Sequence, residues 1–162
     1  GHYELTGKAE DYVLRKRNLF DIAFDEAQNL TLLPGVESLI KDLHANGIQL
    51  ILASSSAHVT IQRIFTRFNL TPYFSHIVSG EDFPNSKPDP AIFNKAAELS
   101  GHPKNNCIVI EDSTNGIKAA NAAGIFCIGY NGQNANNQDY RTADLVIYDF
   151  SELNVEKIKN IK

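Results

Sequence analysis

The feature that most constrains this chain is a change of period that recurs from about residue 34 onward: apolar residues spaced for a helix give way, repeatedly, to short unbroken apolar runs. A helix with one apolar stripe followed by a strand with no polar face is the unit of a parallel sheet covered on both sides by helices. Pro34 can open a helix whose Val36, Leu39, Ile40 and Leu43 form one stripe, with Gly47 to end it and a strand over 48–53 to follow. Ser56 is placed to cap the next helix, which carries Ile61, Ile64, Phe65 and Phe68 on its inner face, and 76–79 reads as a short strand. Asp89 and Pro90 read as N-cap and first helical residue ahead of Ile92, Phe93, Ala96, Ala97 and Leu99, with Gly101 as the stop. The pattern then predicts a strand over 107–110, a helix of small residues over 114–123 ending at Gly124, and a strand over 125–128. Residues 129–140, rich in Asn, Gln and Gly, are predicted to be an exposed loop, 144–148 a last strand and 152–161 a closing helix. The fold class is α/β: a three-layer, Rossmann-like parallel sheet.

At 162 residues the chain suits one core of ordinary size, and no apolar run approaches the roughly 18 residues that a membrane span requires. Residues 1–4 offer neither a basic region nor an apolar signal core, so the cytoplasm is the expected compartment. A net charge of −4 without a basic cluster argues against nucleic acid as a partner. A single phosphate is a different matter, because one lysine and a few backbone N–H groups suffice for it. Cys107 and Cys127 sit in apolar runs and read as core thiols. Residues 1–29 suggest helix without strand: Tyr12, Val13, Leu14, Leu19, Phe20, Ile22, Phe24 and Ala27 are mixed with Arg15, Lys16 and Arg17, a triplet that reads as a solvated helix face.

Right-handed crossovers place every strand-to-helix turn on one edge of such a sheet, which is where ligands bind. Ser54, Lys87, Glu111 and Asp112 all leave that edge. Ser54 follows an apolar strand, and its hydroxyl with neighbouring N–H groups can form an anion site or simply cap a helix, a role shared with Ser55 and Ser56. Lys87 lies between Pro84, Pro88 and Pro90, in a stiffened loop able to aim an ammonium at a phosphate; the alternative is a solvated turn lysine. Glu111 and Asp112 supply the hard oxygen ligands that Mg²⁺ prefers, or else Asp112 or Ser113 caps the following helix. A Ser-His-Asp triad using His58 is discounted, since no Gly-x-Ser-x-Gly turn is present.

Taken in order, the serine after the first strand, Lys-Pro ahead of a helix (Ser86 to Pro90) and Glu-Asp-Ser-x-x-Gly after a later strand (Glu111 to Gly116) resemble the second, third and fourth motifs of the haloacid dehalogenase-like superfamily, in its β-phosphoglucomutase-like branch. Leu33-Pro34-Gly35-Val36 resembles that branch's return from the cap, and Ala143 to Ile147 its closing strand. The resemblance implies that Ser54 and Lys87 bind the phosphoryl group, that Ser55, Ser56 and His58 line the phosphate side of the pocket, and that Glu111 and Asp112 hold Mg²⁺. Ser54, Lys87 and Asp112 would then be the catalytic set. Residues 1–29 would be the C-terminal part of a helical cap and 30–162 the core. The implied activity is that of a Mg²⁺-dependent, phosphatase-type hydrolase acting on a small phosphorylated metabolite of the sugar-phosphate class through an aspartyl-phosphate. The alternatives are a β-phosphoglucomutase-like phosphotransferase, a non-catalytic phosphate-binding module, or a flavodoxin-like fold whose acidic pair is coincidental.

One motif of that family is missing. Its Asp-x-Asp, at the end of a central strand, supplies the nucleophile, and here Asp21 and Asp25 lie four apart in a helical stretch. Without that strand the sheet is expected to have a gap between the strand ending at Ala53 and the strand ending at Glu111. The expectation is therefore that this chain works with an N-terminal segment of the same protein that carries the nucleophilic Asp.

Overall fold

In the computed structural model the chain is described over residues 9–132 and 137–161. It divides into two units, Gly1–Leu32 and Leu33–Lys162. The first contains helix α1 (Ala9–Glu26), in which Phe24 is buried and its ring stacks 5.8 Å from that of Phe20, while Leu14, Leu19 and Ile22 are exposed. Arg15 and Asp25 are exposed on this helix. Expectations for residues 1–4, for the side chains of Val13, Lys16, Arg17 and Asp21, and for residues 133–136 of the predicted loop lie outside the described residues.

In the second unit, helix α2 (Val36–Ala45) is followed by β1 (Leu50–Ser54), α3 (His58–Arg67), β2 (Phe74–Ser79), α4 (Ala91–Ser100), β3 (Ile108–Glu111), α5 (Thr114–Ala123), β4 (Phe126–Tyr130), β5 (Leu145–Ile147) and α6 (Val155–Asn160). Among the described residues all strand pairs are parallel: β1 with β2, β3 with β4, and β4 with β5. The register sets Ser54 beside Ser79 and Glu111 beside Gly129, so the strand ends of each group lie at one edge. Among the described residues no backbone ladder joins β1 to β3, and the break falls between the strands ending at Ser54 and Glu111, where the sequence predicts a gap.

Alternation along the strands makes three layers. Val109 and Cys127 point to one face, against Ile92, Phe93 and Ala97 of α4 and Ile117, Ala119, Ala120 and Ala123 of α5. That same cluster takes in Ile51 and Ala53 of β1 and Val78 of β2, so side-chain packing under α4 and α5 spans the two strand groups that no ladder connects. On the other face Ile128 and Ile147 pack with Leu39 and Leu43 of α2 and with Ile158 of α6. Burial of this kind contributes roughly 1.5–3 kcal/mol per large apolar side chain.

Punctuation residues set most helix ends. Ser113 caps α5 by accepting the Gly116 N–H at 3.0 Å, and Gly101 and Gly124 end α4 and α5 in the left-handed region at φ of 69° and 71°. Asp89 accepts the Ala91 N–H at 2.9 Å, doing the work of a cap one residue ahead of the assigned N-cap, Pro90. Two expectations shift. The closing helix starts at Val155 and not at residue 152, because Asp149 and Glu152 form a capping box around a separate tight turn, Phe150–Glu152, and Asn154 caps α6 itself. Cys127 is buried as expected, whereas Cys107 is half-buried.

Candidate phosphate and metal site

Strand β1 runs one residue further than predicted, to Ser54, and that shift decides which hydroxyl makes the turn. Ser54 Oγ accepts the Ser56 N–H at 3.1 Å. In this role Ser54 keeps its own O–H as a donor for a ligand. The predicted cap by Ser56 is corrected accordingly: α3 begins after Ala57 with no side-chain cap, and the His58 N–H donates instead to Glu81 Oε2 at 3.0 Å. The His58 ring lies 2.9 Å from both carboxylate oxygens of Asp82, so its side chain is tied to the turn after β2. Ser55 is exposed and Ser56 half-buried.

The loop is held from beneath by a residue that sequence reasoning passed over. Ser79 is fully buried; its hydroxyl donates to the Ser56 carbonyl at 2.7 Å and accepts the Glu81 N–H at 3.1 Å. Next to it, a Cβ on Gly80 would stand 3.0 Å from Ser55 Cα, so the absence of a side chain there permits the close approach. The only available sequence signal was Ser-Gly at the end of an apolar run.

Lys87 spans the break between the strand groups. Its ammonium donates to the Ala53 carbonyl of β1 at 3.2 Å, pairs with Glu111 Oε1 of β3, and lies 4.7 Å from the centroid of the Phe93 ring. The side chains of Lys87 and Glu111 are 9% and 10% exposed. The other Glu111 oxygen accepts the Ser113 hydroxyl at 3.0 Å and the Ser113 N–H at 3.3 Å. Gly116 leaves the room: a Cβ there would overlap the Glu111 carboxylate. Lys87 thereby joins the neighbour of Ser54 to the neighbour of Asp112, although these groups are far apart in sequence.

Asp112 is exposed, and its backbone carbonyl accepts the Tyr140 hydroxyl at 2.8 Å. This corrects the expectation of an exposed loop over 129–140. Gly129 belongs to β4, and Tyr140 is half-buried on the α4–α5 core. Burial raises the Tyr140 hydroxyl pKa, with the charges of Asp112 and Glu111 adding to it.

Among the described residues no three His, Cys, Asp or Glu side chains gather into a cage. The donors do fit Mg²⁺, which takes one or two protein carboxylates and completes its shell with water and substrate phosphate oxygens. Asp112 offers an open carboxylate; Glu111, engaged by Lys87 and Ser113, stands beside it.

Residues 1–124 match the family described as haloacid dehalogenase-like hydrolase. The chain belongs to that family. Among curated relatives of this haloacid dehalogenase-like chain, the "Probable pseudouridine-5'-phosphatase" of Drosophila melanogaster is 38% identical over 130 residues, 76% of this chain and 55% of that protein. A "CBBY-like protein" of Arabidopsis thaliana is 36% identical over 135 residues, 82% of this chain and 42% of that one. The chain thus spans about half the length of these relatives. Among solved structures, a CbbY mutant from Rhodobacter sphaeroides in complex with xylulose-(1,5)bisphosphate superposes with a TM-score of 0.83 at 26% identity, over 94% of this chain and 70% of that one. The beta-phosphoglucomutase of Clostridium difficile gives 0.79 at 30% identity, over 96% and 69%. The resemblance read from the three motifs and the α/β fold class both hold. Among the described residues, no helix of this haloacid dehalogenase-like chain is long and apolar enough to cross a membrane.

Proposed function

We propose that this chain carries the phosphate- and metal-binding side of a Mg²⁺-dependent phosphomonoester hydrolase acting on a small phosphorylated metabolite of the sugar-phosphate class. The observation that supports it most is Lys87, nearly buried and bridging the Ala53 carbonyl to Glu111 across the break between β1 and β3. A desolvated ammonium at the carboxyl edge attracts a phosphoryl group far more strongly than one in water. Ser54 donates its hydroxyl to a phosphate oxygen, Ser55, Ser56 and His58 form the wall beside it, and Asp112, with Glu111 adjacent, holds Mg²⁺. When bound, that ion neutralises charge on the phosphoryl oxygens.

The nucleophile in this reading is an Asp on an N-terminal segment of the same protein, whose strand lies between β1 and β3. The break between β1 and β3 supports it, since among the described residues no ladder partner covers either strand on that side. Residues 1–29 are then the tail of a helical cap that selects the substrate, and the cytoplasm is the compartment. Phosphatase chemistry is preferred to mutase chemistry because relatives matched over most of this chain carry phosphatase names, "Probable pseudouridine-5'-phosphatase" and "Phosphoglycolate phosphatase" among them.

Thermal melts of the chain in inorganic phosphate test the site without requiring turnover. Ligand at about a hundred times its Kd raises stability by roughly 2.7 kcal/mol, so the melting temperature should climb with phosphate and climb further with Mg²⁺. Lys87→Met should abolish both increments. A melting temperature indifferent to phosphate up to tens of millimolar would overturn the reading.

A further inference from the structure

We infer that Tyr140 is a positioning residue for Asp112, and that the segment 137–142 is a strap that fixes the metal side of the site; this rests on the proposed Mg²⁺ role of Asp112. Three hydrogen bonds converge on the residues from Asp112 to Thr114. The Tyr140 hydroxyl donates to the Asp112 carbonyl at 2.8 Å, the Thr114 N–H donates to Gln138 Oε1 at 2.7 Å, and the Asp139 N–H donates to Thr114 Oγ1 at 2.7 Å. Further along, the Thr142 carbonyl accepts from Asn121 of α5 at 2.8 Å. The strap is itself braced, because the Arg141 guanidinium holds the Asp139 carboxylate with two N–H groups at 2.9 and 2.7 Å.

The ring of Tyr140 has a made place. Gly129, fully inside β4 and beside Glu111 in register, would bring a Cβ to 2.9 Å from Tyr140 Cδ1. A larger residue at 129 would push the ring, and with it the hydroxyl, off the Asp112 carbonyl. Holding that carbonyl fixes the peptide plane that follows Asp112 and with it the backbone ψ on which the side-chain rotamers depend. An exposed carboxylate otherwise samples several rotamers, and each must be surrendered when a cation binds. Tyr140 lowers that cost without touching the ion.

The test is isothermal titration calorimetry of the chain with Mg²⁺, and separately with inorganic phosphate in the absence of metal. Tyr140→Phe keeps the ring and removes only the oxygen. It should weaken Mg²⁺ about fivefold, the loss of one hydrogen bond's worth of organisation, and leave phosphate affinity unchanged. Gln138→Ala removes the strap's bond to the Thr114 N–H and leaves the Tyr140–Asp112 bond in place, so it should lower the melting temperature and weaken Mg²⁺ by a smaller factor, about twofold, with phosphate affinity unchanged. Equal Mg²⁺ affinities for the parent and Tyr140→Phe overturn the positioning role alone. No Mg²⁺ binding by the parent overturns both that role and the metal reading beneath it, whereas a parallel loss of phosphate affinity marks Tyr140 as a general structural residue and overturns its selective role.

Discussion

The ammonium of Lys87 and the carboxylate of Glu111 form an ion pair whose two side chains are 9% and 10% exposed, and it links the loop before α4 to the end of β3. Removing one member of a buried pair leaves the other charge desolvated and unpaired, which costs about 3–5 kcal/mol, whereas removing both can be close to neutral. Lys87→Met and Glu111→Gln should therefore each lower the unfolding free energy by several kcal/mol in urea titrations. The double variant should fall well short of their sum. Additive losses would show that the two groups do not depend on one another.

Gly116→Ala sets two effects against each other. In an ordinary helix interior the change gains roughly 1 kcal/mol from backbone entropy. Here the new Cβ would land on the Glu111 carboxylate, which is held by Lys87 through one oxygen and by Ser113 through the other and cannot simply swing away. Overlap should win, with a net loss of at least about 1 kcal/mol. Placed in a Glu111→Ala background, the same substitution should become neutral or stabilising, which a pair of thermal melts decides.

Much of this architecture is legible in the sequence because its signals are local. Helix α5 begins and ends where Ser113 and Gly124 say it should, since a capping hydroxyl and a left-handed residue act within one turn. The placement of Ser54 and Glu111 at strand ends on one edge, with Asp112 next in the chain and Lys87 reaching between them, was legible from the carboxyl-edge rule. What stayed hidden depends on contacts distant in sequence. No local pattern says which of three adjacent serines turns the chain after β1, because the choice follows from where the parallel register with β2 ends. Nor does a lone Tyr140 at the end of an Asn- and Gln-rich run announce its bond to Asp112, 28 residues earlier. Ser79 was missed for the same reason, being a small polar residue whose burial is set by the packing of two loops.

Cys127 supplies a pH signature. It is completely buried in β4, and burial, reinforced by the charges of Glu111 and Asp144, pushes its thiol up to about 12. The folded state thus keeps the proton that the unfolded chain releases near pH 9. Stability from this group is complete below pH 9 and falls by about 1.4 kcal/mol per unit as the pH climbs from 9 toward 12. Cys127→Ala should flatten the alkaline limb of a melting-temperature profile relative to the parent. In the native protein a maleimide should label half-buried Cys107 well before Cys127.

Ser54 and Asp112 stand on opposite sides of the break and should separate the two halves of ligand binding. Ser54 sits at the end of β1 with its oxygen already engaged by the Ser56 N–H, so its proton is the part available to an anion. A hydrogen bond to a charged group contributes roughly 1.5–3 kcal/mol, and Ser54→Ala should weaken metal-free phosphate binding by about tenfold or more. Asp112→Asn keeps the shape of the β3–α5 turn and removes the open carboxylate, so metal-free phosphate binding should persist while the additional gain from Mg²⁺ disappears. Calorimetric titration of phosphate with and without Mg²⁺ on both variants reads the split directly. Loss of metal-free phosphate binding in Asp112→Asn would place Asp112 on the anion itself and not on the cation.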